Sequence, residues 1–540
     1  MKCPTVAIFG DVSKKKTQML TTKLSKCGLD FYKTDEKLTW KMLKRVHAII
    51  SFHPTSDCFS FKVLSCLPAP YRERWIHVND LNKITQAVVE SCFGHALFGS
   101  SDKIETDYIK LDENYLGEDP LVSVFTTTYR SAHKIMKPLR SLLSQTYINW
   151  EWVIIDDSND DGKTFNDVLM KNLPDNDPRI RRYYPDHASG YIGEVKKYAA
   201  GLCRGKILLE LDHDDDLETD CLATLVAAFR ANSQFGFVYT DFTEIQEDDL
   251  TNWAYVDGFC FGFGAYYRQY SQVLNKWVNV ARTADLSCQT LQDIVGVPNH
   301  PRAWRTDFYH RIGGHNPELP VADDYELLVR TFLRTQMCRV PTHTYIQYRN
   351  KGGNNFTFLR NKLIRYLQEV VSKHYRPAIH KKLEALGLPI YYQKDEIMIW
   401  KNPASAPYWK HTNKTYVQGK GRSLIFLTQA LSTDLYTEPS PLLSLKLNED
   451  DRITIIEYNA IIPKGQDRLT YKSHLETQIE KYNDFFVKLS KGEKRLVRWW
   501  SLTRSEKDPP ITHDDALRYA MYVSDSTDFQ LVQLRNKNDS

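Results

Sequence analysis

The chain has 540 residues, 42% of them hydrophobic, which supplies core for roughly two to four domains and excludes a disordered chain. Lysine and arginine (71) nearly balance aspartate and glutamate (67), so the formal charge of +4 demands no nucleic-acid partner. No apolar run approaches the ~20 residues that span a bilayer, and the opening MKCPTVAIFGDV is too short in apolar residues for a secretion signal.

These features point to a soluble, cytoplasmic protein, with peripheral membrane association left open. The ten cysteines show neither a CxxC pair nor metal spacing, which fits thiols in a reducing compartment.

Residues 1–118 read as a small α/β domain. Apolar strand-like runs at Val6 to Phe9, Ala48 to Phe52 and Trp75 to Val78 alternate with helical patterns such as Ile84, Ala87 and Val88. The turn Phe9-Gly10-Asp11 lacks the further glycines of a dinucleotide fingerprint, so no cofactor is expected there and the unit reads as structural or docking. Polar residues 100–119 form its exit.

A second unit opens with the strand Leu121 to Phe125, running into Thr126-Thr127-Thr128-Tyr129-Arg130. A helical face of Ile135, Leu139, Leu142 and Leu143 follows, then a buried strand, Trp152 to Ile155, ending at Asp156-Asp157-Ser158-Asn159-Asp160-Asp161-Gly162. Strand, helix, strand with polar residues at both carboxyl ends is how an open α/β sheet builds a ligand crevice. Asp157 to Gly162 also fits the first half of a calcium loop, but Val168 at the twelfth position rules that out. The pattern repeats at Gly190 to Leu202, whose Lys196 and Lys197 form either an exposed basic face or a phosphate contact.

The third strand, within Lys206 to Asp220, ends in acid: Asp212, Asp214, Asp215 and Asp216. Four carboxylates in five positions repel one another, and such a cluster is tolerated in full solvent or around a divalent cation. An EF-hand loop counted from Asp212 fails, with Leu217 at the sixth position and Ala223 at the twelfth. Two readings stay open: a solvated turn in which Thr219 or Asp220 caps the helix bearing Leu222, Leu225, Val226 and Phe229, or a metal site. A second acid group, Asp323-Asp324-Tyr325-Glu326, precedes a helical run with Leu328 and Phe332, and by itself reads as an N-terminal cap.

Four blocks in order resemble the family 2 glycosyltransferases: Val122 to Arg130, Ser141 to Gly162, Gly193 to Asp215 and Gly313 to Arg330. The resemblance covers roughly residues 119 to 370. It implies a GT-A nucleotide-diphospho-sugar transferase fold, an α/β open mixed sheet between helices, in a catalytic domain at 119–375. The small N-terminal α/β domain precedes it, and a C-terminal α+β region at 376–540 of unknown role, with a linker near 401–423, follows.

By the same resemblance, Thr128, Tyr129, Arg130 and Asp157 would bind the donor nucleoside, commonly uridine, and Lys196 would lie near the donor. Asp212-His213-Asp214 matches the DxD motif: Asp212 and His213 on the donor side, Asp212 and Asp214 holding Mn2+ or Mg2+. His213 replaces a smaller residue, and the extra Asp215 and Asp216 leave the metal-binding oxygen open. Asp324 matches the acidic residue that takes the proton from the acceptor hydroxyl, with Asp323 as a neighbour that raises its pKa. The implied reaction is an inverting, metal-dependent transfer from a UDP-sugar to a hydroxyl of a glycan or other acceptor.

Physical chemistry agrees with the implied metal, because breaking a sugar-phosphate bond leaves a diphosphate whose growing charge a hard cation on carboxylates stabilises. The aromatic-rich stretch Trp253 to Trp277 reads either as an acceptor platform or as an insertion packed on the core. Asn299, His300, Arg302 and Trp304 are expected on the acceptor side, and Arg349 to Asn355, including Asn354, as a loop approaching the diphosphate. Two other readings remain: a catalytically silent nucleotide- or glycan-binding module, and a sugar-nucleotide pyrophosphorylase, which would need a Gly-rich basic loop where this chain has TTTYR.

Past residue 423, Leu424 to Leu427 and Ile453 to Ile456 read as strands, and Leu475, Ile479, Tyr482, Phe486 and Leu489 as one buried helix face.

Overall fold

The computed structural model describes residues 104–349, apart from 186–187, 232, 254–264, 285 and 287, and residues 361–386. N-terminal to these it describes 5–9, 13–26, 30–34, 46–51, 75–77, 94 and 97–98. C-terminal to them it describes 423–429, 442–443, 445–448, 451–462, 488–489, 497–505, 510, 512–513, 516–517 and 530–532. The helical pattern at 84–88, the aromatic run at 254–264, Asn354, residues 401–422 and most of the stripe from Leu475 to Phe486 lie outside the described residues.

The N-terminal elements are β1 (Thr5–Phe9), α1 (Lys14–Lys26), β2 (Asp30–Thr34), β3 (Ala48–Ser51) and β4 (Trp75–His77). They form a four-stranded parallel sheet of order β2-β1-β3-β4. Three of these strands coincide with the apolar runs read from sequence. The fourth, DFYKT, has too few apolar residues to stand out.

The central region begins with β5 (Val122–Thr128), α2 (Met136–Leu143), β6 (Trp150–Asp156), β7 (Ile180–Tyr183), α3 (Ile192–Leu202), β8 (Ile207–Glu210) and β9 (Asp216–Leu217). It continues with α4 (Cys221–Ala231), β10 (Phe237–Gln246), β11 (Asn252–Trp253), β12 (Ala265–Ser271), β13 (Lys276–Arg282), α5 (Cys288–Asp293) and β14 (Arg302–Arg305). It closes with α6 (Thr306–Arg311), α7 (Asp323–Arg334), β15 (Met337–Arg349) and α8 (Asn361–Ala385). Helix α8 runs unbroken past residue 375, where the central region was expected to end, and packs on α5 and α7.

Strands β7, β6, β5 and β8 pair in parallel, and β8 is followed across the sheet by antiparallel β14 and then β10. Their near-continuous apolar sequences suit burial on both faces. Alternate residues enter two separate cores: Phe125, Val153, Ile155 and Leu208 face α3, α7 and α8, while Val124, Trp152, Ile154, Ile207 and Leu209 face α2 and α4. This places the carboxyl ends of β5, β6 and β8 along one edge, the position at which parallel α/β sheets bind ligands.

The strands β16 (Ser423–Gln429), β17 (Arg452–Ile462), β18 (Val497–Ser505) and β19 (Gln530–Val532) pair in parallel, order β19-β16-β17-β18. They prolong the central sheet through the antiparallel pairing of Arg268 on β12 with Trp499 on β18. Among the described residues no helix is long and apolar enough to cross a membrane.

Gly205 sets the entry of β8, the strand that carries the acid cluster. Its N–H donates to Ser123 Oγ (2.7 Å), and a Cβ there would lie 2.5 Å from the Leu121 carbonyl oxygen and 2.7 Å from the Ser123 nitrogen. Gly205→Ala must therefore push the backbone of β8 off β5. The expected loss is about 1–3 kcal/mol, measured as a lower urea midpoint with an unchanged m-value.

Candidate functional site

The edge formed by β5, β6 and β8 opens into a cleft of about 340 Å³. Thr128, Tyr129, Asp157, Lys196, Asp212, His213, Asp214, Asp323, Asp324 and Arg349 line it together, so residues as far apart in sequence as 128 and 349 meet in one cavity.

Where β5 and β6 end, Thr128 donates to Asp156 Oδ1 (3.0 Å), and Asp156 also holds Ser158 through its N–H and hydroxyl. Asp157 accepts from the N–H groups of Ser189 (2.6 Å) and Gly190 (2.9 Å), one on each oxygen. Burial nevertheless prevails over those two bonds and raises its pKa. Tyr129 and Arg130 both donate to Asn159 Oδ1 (2.8 Å each), which ties the end of β5 to the turn after β6.

The four clustered aspartates have different surroundings. Asp215 is buried, accepting from the Tyr345 hydroxyl (2.7 Å) and Tyr348 N–H (2.8 Å). Burial, then the charges of Asp214 and Asp212, push its pKa well up. Asp216, on β9, accepts from the Tyr348 hydroxyl (3.0 Å). These two anchor the acidic turn beneath β15. Asp212 and Asp214 are left facing the cleft, with side chains 37% and 18% exposed.

Near Asp214 stand Lys134 (3.8 Å) and Lys137, whose ammonium donates to the Asp214 carbonyl (3.3 Å) and to Glu247 (2.7 Å). His213 Nδ1 lies 3.9 Å from Asp214 Oδ1.

Behind Asp212 sits Glu210, the last residue of β8, buried to 1% exposure. Four cationic or potentially cationic groups converge on it: Lys196 Nζ at 2.6 Å, His300 and His315 Nε2 each at 3.7 Å, and Arg302 at 3.8 Å. Burial works to raise its pKa, but Lys196 with these neighbours pulls it well below the ordinary carboxylate value. Lys196 is equally buried, and Asp323 and Glu210 outweigh the desolvation that disfavours its charge, so its pKa rises.

Asp323 and Asp324 start helix α7 but differ in exposure, with side chains 3% and 23% exposed. Asp323 points inward, 3.6 Å from both Lys196 Nζ and His315 Nε2, and burial raises its pKa in spite of those neighbours. Asp324 Oδ2 accepts from Arg302 (2.9 Å) and its Oδ1 from the Tyr325 N–H (2.7 Å). Burial opposes its charge, yet Arg302 and Lys196 hold its pKa below the ordinary value.

Candidate metal ligands lie at the boundary of these two sides. One oxygen each from Glu210 and Asp212 and a ring nitrogen of His300 all fall within 4.8 Å of one another. The charge of Glu210 is already matched by Lys196 and Arg302, which repel a second cation. The cleft-facing acids Asp212 and Asp214 are the members of the cluster whose chemistry suits a hard divalent ion.

Of the remaining residues expected at the site, Arg349 pairs with Glu244 and lines the cleft. Trp304 does not reach it: its ring is fully buried against Phe237, Tyr309 and His315, and its indole N–H donates to Thr331 (3.1 Å). Position along β14 accounts for this: Arg302 and Trp304 share one sheet face, but Arg302 pairs with Glu210 at the cleft end of β8 and Trp304 with Leu208 deeper in the sheet. Glu210 and His315 were not singled out from sequence. The signal for Glu210 was present in ILLEL, because an acid inside a buried strand requires a cationic partner.

Residues 123–281 match the family model of glycosyl transferase family 2. This segment of the central region is therefore similar to the family 2 glycosyl transferases, and its mixed α/β sheet agrees with the fold expected from that resemblance. Among curated relatives, a chondroitin synthase of Escherichia coli is 31% identical over 24% of this chain and 18% of its own length. The UDP-Glc:alpha-D-GlcNAc-diphosphoundecaprenol beta-1,3-glucosyltransferase WfgD of Escherichia coli is 29% identical over 25% of this chain and 50% of its own. The matched segments thus span half or less of those relatives. A distant likeness exists to S. aureus TarS 1-349 crystallised with UDP-GlcNAc, at 15% identity and a TM-score of 0.32 over 51% of this chain and 70% of that one.

Lys196→Met removes the cation between Glu210 and Asp323 and leaves two buried carboxylates facing each other. A loss of about 3–5 kcal/mol is expected at neutral pH. It should shrink as the pH falls, because protonating the stranded carboxyls relieves the repulsion; urea titrations at several pH values measure it.

Proposed function

We propose that this protein transfers a glycosyl group from a nucleoside diphosphate sugar to a hydroxyl of a glycan or other acceptor, with inversion at the anomeric carbon. The observation that carries this reading is the meeting, in one cleft, of the strand-end acids Asp212 and Asp214 with the helix-start acids Asp323 and Asp324. The family 2 match of residues 123–281 supports the reaction class. A relative named for a UDP-Glc donor supports uridine as the nucleoside.

In this reading Thr128, Tyr129, Arg130 and Asp157 border the nucleoside. Asp212 and Asp214 hold a divalent cation, Mn2+ or Mg2+, with His213 beside them. Bound there, the cation supplies charge neutralisation to the diphosphate as the glycosidic bond breaks. Lys196, sealed between Glu210 and Asp323, offsets the charge of those two acids on the same side. Asp324 accepts the proton of the acceptor hydroxyl, and that oxygen attacks the anomeric carbon opposite the departing diphosphate. Arg349 lies at the diphosphate side of the cleft.

Two substitutions separate the roles. Asp214→Asn should weaken metal-dependent UDP binding at least about tenfold, read by isothermal titration with and without Mn2+. Asp324→Asn should leave that binding intact and cut transfer by about 10²–10⁴-fold, read as nucleoside diphosphate release from a panel of nucleotide sugars. Full transfer by Asp324→Asn would sink the base assignment, and metal-dependent UDP binding by the wild type without turnover on any donor or acceptor would mark a silent binding module.

A further inference from the structure

We propose that Arg302 is a positioning residue that selects Asp324 over the adjacent Asp323 as the proton acceptor and aims its carboxylate into the cleft. This rests on the glycosyl-transfer reading above and extends it to a residue given no part in that reading.

Arg302 is held from several directions. Its backbone lies in the sheet, in register with Glu210 on β8 and Tyr239 on β10. Its Nε donates to the Pro298 carbonyl (3.2 Å), and its NH1 lies 3.8 Å from Glu210. With its side chain 3% exposed, the guanidinium has little freedom to follow Asp324. Asp324 is therefore the member of the pair that is placed. The space between them and the neighbouring loop is close-fitting: a Cβ on Gly296, which has φ +81°, would lie 3.1 Å from Arg302 NH2 and 3.8 Å from Asp324 Oδ2.

The neighbouring carboxylate has no equivalent support. Asp323 accepts no hydrogen bond at its buried Oδ2 among the described residues, and that oxygen, at the floor of the cleft, lies 3.6 Å from both Lys196 and His315. Two adjacent acids with opposite surroundings are thus given different tasks, one kept ionised and accessible, the other sealed inside. The charged groups acting on Asp324 are Arg302 from β14, Lys196 from α3, Glu210 from β8 and Asp323 from its own helix. Arg302 is the largest favourable influence, consistent with the lowered pKa of Asp324 and the raised pKa of Asp323.

The test compares wild type, Arg302→Gln and Arg302→Lys in donor binding, thermal unfolding and the pH dependence of kcat/KM for transfer. Removing the guanidinium should move the acid limb, set by Asp324, to higher pH by about one unit or more. It should lower kcat by about 10²-fold through lost aim, with the UDP dissociation constant unchanged. Arg302→Lys keeps the charge without the fork, so it should restore the acid limb while kcat stays intermediate.

Arg302→Gln that is folded, binds UDP and shows the wild-type acid limb would overturn the assignment while leaving the transferase reading in place. A wild-type protein that transfers to no acceptor would overturn both. If Arg302→Gln fails to fold, Arg302→Lys decides: wild-type kcat and acid limb together refute a role for the fork, and a reduced kcat with the limb retained supports it.

Discussion

The contact on which the site depends is the ion pair between Lys196 and Glu210, 2.6 Å apart and almost wholly removed from water. Neither partner can be buried alone, because an isolated charge in the interior costs several kcal/mol even after relaxation. Such pairs contribute little net stability compared with apolar residues of the same size, but they enforce one arrangement. Here the arrangement joins three elements distant in sequence: helix α3 brings the ammonium, strand β8 the carboxylate, and helix α7 adds Asp323 at 3.6 Å. The acidic turn after β8 and the start of helix α7 are thereby locked to a common centre.

That centre also explains how so many acids coexist. Asp215 and Asp216 are turned under β15 onto the hydroxyl and amide groups of Tyr345 and Tyr348. Glu210 and Asp323 share buried cations, and Asp324 has Arg302. Among the described acids of the cluster, Asp212 and Asp214 are the two that face the cleft without a hydrogen bond to a buried basic group. Compensation elsewhere in the cluster thus leaves its cleft-facing negative charge on Asp212 and Asp214, beside Lys134 and Lys137.

The alternating apolar runs and the strand-end polar residues made the central sheet and its ligand edge readable from sequence. Of the four ordered blocks that resemble the family, those at 122–130, 141–162 and 193–215 coincide with the stretch its model matches, and the one at 313–330 lies beyond it. Helix α3 and the strand from Ile207 were equally plain, since their periodicities do not depend on tertiary partners. What sequence could not resolve were pairings across the chain. Nothing in ILLEL names Lys196, 14 residues earlier, or His315, more than 100 later, as its partners. The aspartates of LDHDDD look interchangeable until the register of β9 against β15 assigns Asp216 opposite Ile346. Trp304 illustrates the reverse error: proximity in sequence to His300 and Arg302 suggested the cleft, but its bulk belongs to the hydrophobic core.

Asp157 carries a consequence of its own. Both of its oxygens are engaged by amides of residues 189 and 190, immediately before the helix that delivers Lys196. A ligand competing for that carboxylate would loosen the clasp on the first turn of the helix, and the strain would arrive at the ammonium little more than one turn further on. The carboxylate at 157 and the ammonium at 196 are in this way joined through one short stretch of chain.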